Sequence, residues 1–175
     1  MTTTVVVNDA SCLIDLRKGR LVRAMLALPY RFVVPLPIRR AEALDFTDQD
    51  WRCLETGGLV TFDLPPERVA EAMRVRAAHP RLSANDCFCL VSTRCHEHGI
   101  LLTGDRLLHR AAAGEGLRVH GVLWVVDELR KGDACSHGTL ISALEHWRDD
   151  RTVFLPRGEI DVRLRELRQA AEPGD

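Results

Sequence analysis

The chain has 175 residues, which suits one domain with a substantial core. With 46% hydrophobic and 28% charged residues, its composition is that of a globular protein and excludes a disordered or fibrous chain. The 24 basic and 25 acidic residues leave a net charge of −1, so a polyanionic partner such as nucleic acid would have to bind at a local basic patch.

The first residues carry no basic stretch followed by an apolar one, and no apolar run is long enough to span a membrane. We therefore expect a soluble cytoplasmic protein with no membrane partner. The six cysteines are expected to be reduced thiols that pack as small apolar side chains, because a chain of this size does not need disulfides for stability.

The first half of the chain predicts three strands that alternate with helices. In chain order, these segments are a strand at 4–7, a helix at 10–28 that Gly19 can break, a strand at 31–34, a helix at 37–44, a helix at 47–55, a strand at 59–62 and a helix that runs from Pro66 to about residue 78. Thr47 and Asp50 have the spacing of an N-terminal capping pair for the third of these helices.

The second half continues the alternation and then becomes helical. Its segments are a helix capped by Ser83 that ends at Gly99, a strand at 100–103, a helix at 106–113, a short strand at 117–119, helices at 123–130, 139–147 and 160–170, and an exposed tail after Glu172. Short apolar strands that alternate with helices predict an α/β fold around a parallel sheet.

Acidic residues stand at strand ends and helix starts. Asp9 and Asp105 each follow an apolar strand, Asp86 lies in the first turn of a helix, and Glu42 lies on the helix after the second strand. Because the carboxyl ends of parallel strands share one crevice, Asp9 and Asp105 should face the same cleft. Neighbouring carboxylates repel unless a cation neutralises them, and oxygen ligands suit Mg²⁺ or Mn²⁺.

A metal site of this kind supports hydrolysis of phosphodiester bonds in nucleic acid. The alternative interpretation is structural: Asp9 and Asp86 would serve as helix caps, and Glu42 would be one of many solvated acids. Phosphoaspartate chemistry is disfavoured, because neither of the two lysines, Lys18 and Lys131, stands at a late strand end.

Three sequence blocks resemble those of the PIN-domain ribonucleases. The block VVVNDASCLIDL at residues 5–16 resembles the family's opening strand and aspartate, LSAND at 82–86 its second aspartate block, and LLTGDRLL at 101–108 its third. Residues 33–44 resemble, more loosely, the segment that carries the family's glutamate. The resemblance covers residues 4–127.

This resemblance implies a three-layer α/β/α sandwich and RNA cleavage that depends on Mg²⁺ or Mn²⁺. It assigns the catalytic site to Asp9, Glu42, Asp86 and Asp105, with metal ligands Asp9, Asp86 and Asp105 and supporting hydroxyl groups on Ser11 and Thr103. It also implies the toxin of a VapC-type toxin–antitoxin pair, which would be a homodimer and would bind a small antitoxin protein. The alternative is a non-catalytic PIN-like module that binds RNA or protein.

The resemblance divides the chain into a PIN-like nuclease domain at 1–133 and a helical C-terminal extension at 134–175. We expect the extension to pack on the same domain and its tail to be disordered.

RNA binding near an acidic site needs local positive charge. Arg39 and Arg40 lie one turn before Glu42, and Arg106 and Arg110 lie one helical turn apart after Asp105, so these arginines are the predicted phosphate contacts. Only nine aromatic residues are present, which does not indicate a base-stacking platform. Recognition of backbone shape and charge is the expectation.

Overall fold

Five short strands form one parallel sheet in the computed structural model, which describes residues 3–41 and 46–171. The strands are β1 Val5–Asn8, β2 Arg31–Pro35, β3 Val60–Phe62, β4 Ile100–Leu102 and β5 Arg118–His120. Their order across the sheet is β3-β2-β1-β4-β5, so β1 is central, and Val6 pairs with Phe32 on one side and with Ile100 on the other. The predicted parallel sheet is confirmed, and all five strands fall within a residue or two of their predicted positions.

Helices cover both faces of the sheet. They are α1 Ala10–Lys18, α2 Val22–Leu26, α3 Leu36–Ala41, α4 Asp48–Thr56, α5 Pro66–Ala78, α6 Ala84–Arg94, α7 Arg106–Gly114, α8 Val122–Lys131, α9 His137–Asp149 and α10 Arg157–Ala171.

The contacts between the elements define the layers. One layer contains α5, α6 and α7, and α6 contacts β1, β2 and β4 directly. The other contains α1, α2, α8 and α9, with α10 packed on α9. Right-handed crossovers place α1 and α2 on one face and α5, α6 and α7 on the other, because the chain moves from β1 to β3 in one direction across the sheet and from β3 to β5 in the other. Helices α8 and α9 follow the last strand and complete the first layer. The predicted three-layer α/β/α fold is therefore confirmed.

Helix starts follow the predicted capping chemistry. Thr47 and Asp50 form a complete capping box on α4, and Ser83 and Asp86 form one on α6. The predicted break at Gly19 is also present, since α1 ends at Lys18 and Gly19 is its C-cap.

The predicted end of α6 at Gly99 is wrong. The helix ends at Arg94 with Cys95 as its C-cap, and the chain then turns through His98, which has a φ of 59°. A side chain at Gly99 would bring its Cβ within 2.7 Å of the Thr93 carbonyl oxygen, so glycine is needed for the close approach of the turn to the helix and not for the helix terminus. The predicted continuation of α3 to residue 44 and the tail after Glu172 lie outside the described residues.

The C-terminal helices are anchored to the rest of the fold by specific contacts. The Trp147 indole of α9 donates to the carbonyl oxygen of Asp15 in α1 at 2.8 Å. Arg163 of α10 makes two hydrogen bonds to the Asp127 carboxylate of α8, at 2.8 and 2.7 Å. The boundary near residue 133 stays a prediction.

All six cysteines are free thiols, and Cys12, Cys87 and Cys89 are buried. Across residues 3–41 and 46–171, no helix combines the length and the apolar character that a membrane crossing requires.

Candidate acidic site at the carboxyl edge of the sheet

The strand order creates a crevice between β1 and β4. From β1 the chain goes to helices on one face of the sheet, and from β4 it goes to α7 on the other. The loops that follow these two neighbouring strands therefore diverge, and this switch point is where open parallel sheets bind ligands. Asp9 directly follows β1, and Asp105 follows β4 after a two-residue turn.

Asp9 is held rigidly in this crevice. Its side chain is 5% exposed, and its Oδ1 accepts a hydrogen bond from the Ala10 backbone N–H at 2.8 Å, which caps α1. Its Oδ2 accepts from the Ser11 hydroxyl at 2.7 Å and from the Thr103 hydroxyl at 2.8 Å. Hydroxyl groups from both sides of the switch point thus converge on one carboxylate oxygen.

The same two hydroxyl groups connect Asp9 to the turn that carries Asp105. The Thr103 Oγ1 accepts from the Asp105 backbone N–H at 3.0 Å, and the Ser11 Oγ accepts from the Gly104 N–H at 3.0 Å. We call the five residues Asp9, Ser11, Thr103, Gly104 and Asp105 the acidic network. It brings two of the predicted catalytic carboxylates and both predicted supporting hydroxyls into one hydrogen-bonded unit.

Asp105 is the exposed carboxylate of the acidic network. Its Oδ1 accepts from the backbone N–H groups of Leu107 and Leu108, at 2.7 and 2.8 Å, and so caps α7. Its Oδ2 accepts no hydrogen bond from any residue that the structure describes. One oxygen therefore fixes the side chain while the other is available to a ligand.

Asp86 lies at the start of α6, outside the acidic network. Its Oδ2 accepts from the Ser83 backbone N–H at 2.7 Å. The far end of α6 leads into β4 and pairs through Arg94 with Glu115 at the end of α7, so the first turn of α6 points towards the carboxyl edge. Glu42, the fourth predicted catalytic residue, lies outside the described residues.

Asp9, Asp86 and Asp105 each cap a helix. The structural interpretation predicts this for Asp9 and Asp86. Capping uses one carboxylate oxygen of Asp105 and one of Asp86, so it does not exclude a second role. The positive ends of α1, α6 and α7 also favour negative charge at these positions.

The donor atoms suit a hard divalent cation, although no three His, Cys, Asp or Glu side chains group closely enough to hold a metal ion within 3–41 and 46–171. Carboxylate and hydroxyl oxygens are the available ligands. Sequence reasoning missed Asn8, which is fully buried directly before Asp9 and whose Oδ1 accepts no hydrogen bond from residues 3–41 or 46–171. Its amide donates to the carbonyl oxygens of Val6 and Val33, which ties β1 to β2. A polar residue inside an apolar strand was the available signal.

Two of the four predicted phosphate-binding arginines lie beside Asp105. Arg106 and Arg110 are exposed on α7 and line a cavity of about 290 Å³ together with Thr103, Asp105 and His109. Neither arginine forms an ion pair with the described residues.

The other two predicted arginines lie on α3. Arg39 donates to the Glu55 carboxylate at 2.8 Å, and its guanidinium lies 5.4 Å from the centre of the Trp51 ring, so it is committed to the contact between α3 and α4. Arg40 is exposed at the end of α3.

A larger cavity, about 770 Å³, lies between α1, α2 and α4. It is lined mainly by apolar side chains such as Val22, Leu26 and Phe46, and its carboxylate, Asp50, is engaged by Arg17 and by the α4 capping box. Its size does not make it the reactive site, because it lacks the cluster of acids.

A family model described as a PIN domain matches residues 5–169. The match extends from the first residue of β1 into α10, and so includes the C-terminal helices. No curated protein and no solved structure matches the chain.

Proposed function

The chain belongs to the PIN-domain family, whose members are generally nucleases, and from this premise we propose that it is a metal-dependent endoribonuclease that hydrolyses RNA phosphodiester bonds. The observation that carries the proposal is the acidic network, which joins Asp9 to Asp105 at the switch point of the sheet. Capping alone does not require a hydroxyl group from α1 and one from the turn after β4 to meet on one carboxylate oxygen.

PIN domains typically use divalent metal ions. We propose that Asp9, Asp86 and Asp105 bind Mg²⁺ or Mn²⁺ and that Glu42 completes the catalytic site. Because these three aspartates do not form a closed cluster in the structure, binding of the ion would have to draw Asp86 towards the acidic network. The ion would supply an activated water and would stabilise the negative charge that develops on the phosphate.

The residues of the chain prepare this chemistry by holding their groups in place. Ser11 and Thr103 fix the Asp9 carboxylate through Oδ2, so it does not have to reorient when a ligand binds. Asp105 keeps Oδ2 available while Oδ1 caps α7. Arg106 and Arg110 stand at the rim of the same cavity and would bind the RNA phosphates.

The resemblance of the sequence blocks to the PIN-domain ribonucleases supports a narrower proposal: the protein is the toxin of a VapC-type, type II toxin–antitoxin pair, acts on RNA in the cytoplasm, forms a homodimer and binds a small antitoxin. The contrasting function is a PIN-like module that binds RNA or protein without cleaving it.

Cleavage of a mixed pool of tRNA and rRNA fragments tests the proposal. We expect cleavage with Mg²⁺ or Mn²⁺, none with EDTA, and at least a hundredfold loss in Asp9→Asn and in Asp105→Asn. Asp161→Asn, a change at an exposed aspartate of α10, is the matched control and should cleave normally. Circular dichroism checks that the variants are folded.

The other outcomes are equally informative. Full activity in Asp9→Asn or Asp105→Asn would overturn the site. RNA binding without cleavage under every metal condition would favour the non-catalytic module.

A further inference from the structure

His120 and Trp124 form a stacked aromatic pair next to the acidic network. Their ring centres are 4.8 Å apart and their planes differ by 9°. Tyr30 supports Trp124 from a second side at 5.4 Å, and the Tyr30 hydroxyl donates to Glu128 at 2.6 Å. The pair is therefore held in place by its neighbours, and both of its residues are half-buried.

One residue connects this pair to the candidate catalytic carboxylates. The Thr103 backbone N–H donates to the His120 carbonyl oxygen at 2.9 Å, and the Thr103 hydroxyl donates to Asp9. His120 is the last residue of β5, the edge strand beside β4. The backbone of His120 is therefore hydrogen-bonded to the acidic network, and a ligand that crosses this edge of the sheet would pass both.

Exposed arginines stand on the edge strand that carries His120 and on helix α7. Arg118 is exposed on the same edge strand, two residues before His120, and its side chain leaves the same face of the strand. Arg106 and Arg110 stand on α7. None of the three arginines forms an ion pair within the described part of the chain. The nearby Glu128 carboxylate is already engaged by Lys131 and Tyr30.

We propose that single-stranded RNA crosses the β5 edge with one nucleobase stacked on His120, while Arg118 and the pair Arg106 and Arg110 bind the phosphates on its two sides. This inference rests on the proposed function and specifies the substrate class of the same site. Stacking on a side chain requires an unpaired base, because the bases of a duplex are covered by their neighbours.

The state of the imidazole agrees with this role. Burial, followed by the charge of Arg118, lowers the pKa of His120 below its ordinary value. At neutral pH the ring is therefore mainly uncharged, and a nucleobase would stack on a neutral aromatic surface that Trp124 supports from behind.

Binding to Asp105→Asn protein, which should not cleave, separates base stacking from charge. The probe is a short fluorescein-labelled single-stranded RNA in Mg²⁺, compared with the same strand in a duplex. In this background His120→Ala should weaken single-strand binding about tenfold and change duplex binding less than twofold, and His120→Phe should restore the affinity. Arg118→Ala should weaken binding of both the single strand and the duplex. The slope of log affinity against log salt concentration should become less steep by about one.

His146→Ala is the matched control, because His146 is exposed near the end of α9 and lies beside Asp150. Equal affinities for His120→Ala and its parent, or equal losses for single strand and duplex, would overturn the stacking role. If the wild type cleaves RNA while the His120 variants bind normally, the inference alone fails. If neither the wild type nor any variant cleaves RNA under any metal condition, the proposed function fails, whatever RNA affinity the His120 variants show.

Discussion

Helix α1 begins in the acidic network and ends against the C-terminal helices, and different forces hold its two ends. At its start, Asp9 is fixed by three short hydrogen bonds from Ala10, Ser11 and Thr103. At its end, the large Trp147 indole is buried against Gly19, where it approaches too closely for any other residue. The first arrangement places charge at the sheet edge, and the second buries apolar surface. Changes at the start should therefore alter the chemistry, and changes at the end should alter stability alone.

The largest expected effect on stability is at the end of α1. Trp147→Ala removes a fully buried aromatic ring and its hydrogen bond to Asp15, so we expect the free energy of unfolding to fall by about 3–5 kcal/mol. Urea denaturation measures this loss. RNA cleavage per folded molecule, measured well below the melting temperature, should be unchanged. A loss of cleavage in the folded variant would show that the end of α1 affects the chemistry as well as the stability.

The second prediction concerns the other end. Thr103→Val deletes the hydroxyl that donates to Asp9 and accepts from Asp105, so we expect about 1–3 kcal/mol of destabilisation from unpaired buried groups. It should also reduce the affinity for Mn²⁺ and the cleavage rate about 10–100-fold, because a partner that orients a ligand is lost. Isothermal titration with Mn²⁺ and cleavage assays check this. Thr103→Ser keeps the hydroxyl and should retain most of both properties.

The strands and most helices could be predicted because they depend on local patterns. The apolar run of β1, the capping residues Thr47 and Ser83, and the glycine after α1 all act within a few residues of the chain. The end of α6 could not, because it is set by the return of the chain to β4 and by the contact of Gly99 with the Thr93 carbonyl oxygen.

About as much of the candidate site as of the fold could be predicted from the sequence. Strand ends indicated that Asp9 and Asp105 would lie in one crevice, since parallel strands share an edge. The commitment of Arg39 to Glu55 and the stacking of His120 on Trp124 depend on contacts between separate elements, which no periodic pattern records. A count of Phe, Trp and Tyr residues could not reveal a stacked pair that contains a histidine.

The third prediction tests the close packing of Trp147 against Gly19 at the end of α1. In Gly19→Ala the new methyl group would stand 2.7 Å from two Trp147 ring carbons, and a rigid indole cannot yield as a flexible chain would. We expect a loss of about 1–3 kcal/mol in the free energy of unfolding from overpacking. Gly114→Ala, at the end of α7, is the control and should not destabilise, because an added Cβ there meets no atom of the described residues within 4 Å. Equal melting temperatures for the two variants would contradict the proposed close packing.

The smallest expected effect depends on pH and lies at Asp15, near the packed end of α1. Burial raises the pKa of this carboxyl group to about 6, with a further contribution from Asp150 and an opposing one from Lys18. Because the folded state holds the proton more tightly than the unfolded state, the contribution of Asp15 to stability falls as pH rises from about 4 to about 6. Above pH 6 the charged carboxylate is a constant penalty, which solvent screening at this half-buried position limits to about 1 kcal/mol.

Asp15→Asn should therefore raise the free energy of unfolding at pH 8 and leave it nearly unchanged at pH 3.5, measured by urea denaturation at both pH values. The difference between variant and wild type isolates Asp15 from the other titrating groups, since they are common to both proteins. A gain of the same size at both pH values would show that packing of the amide, and not removal of a buried charge, stabilises the variant. Cleavage at neutral pH should not change, because Asp15 lies more than one helical turn beyond Asp9 and outside the acidic network.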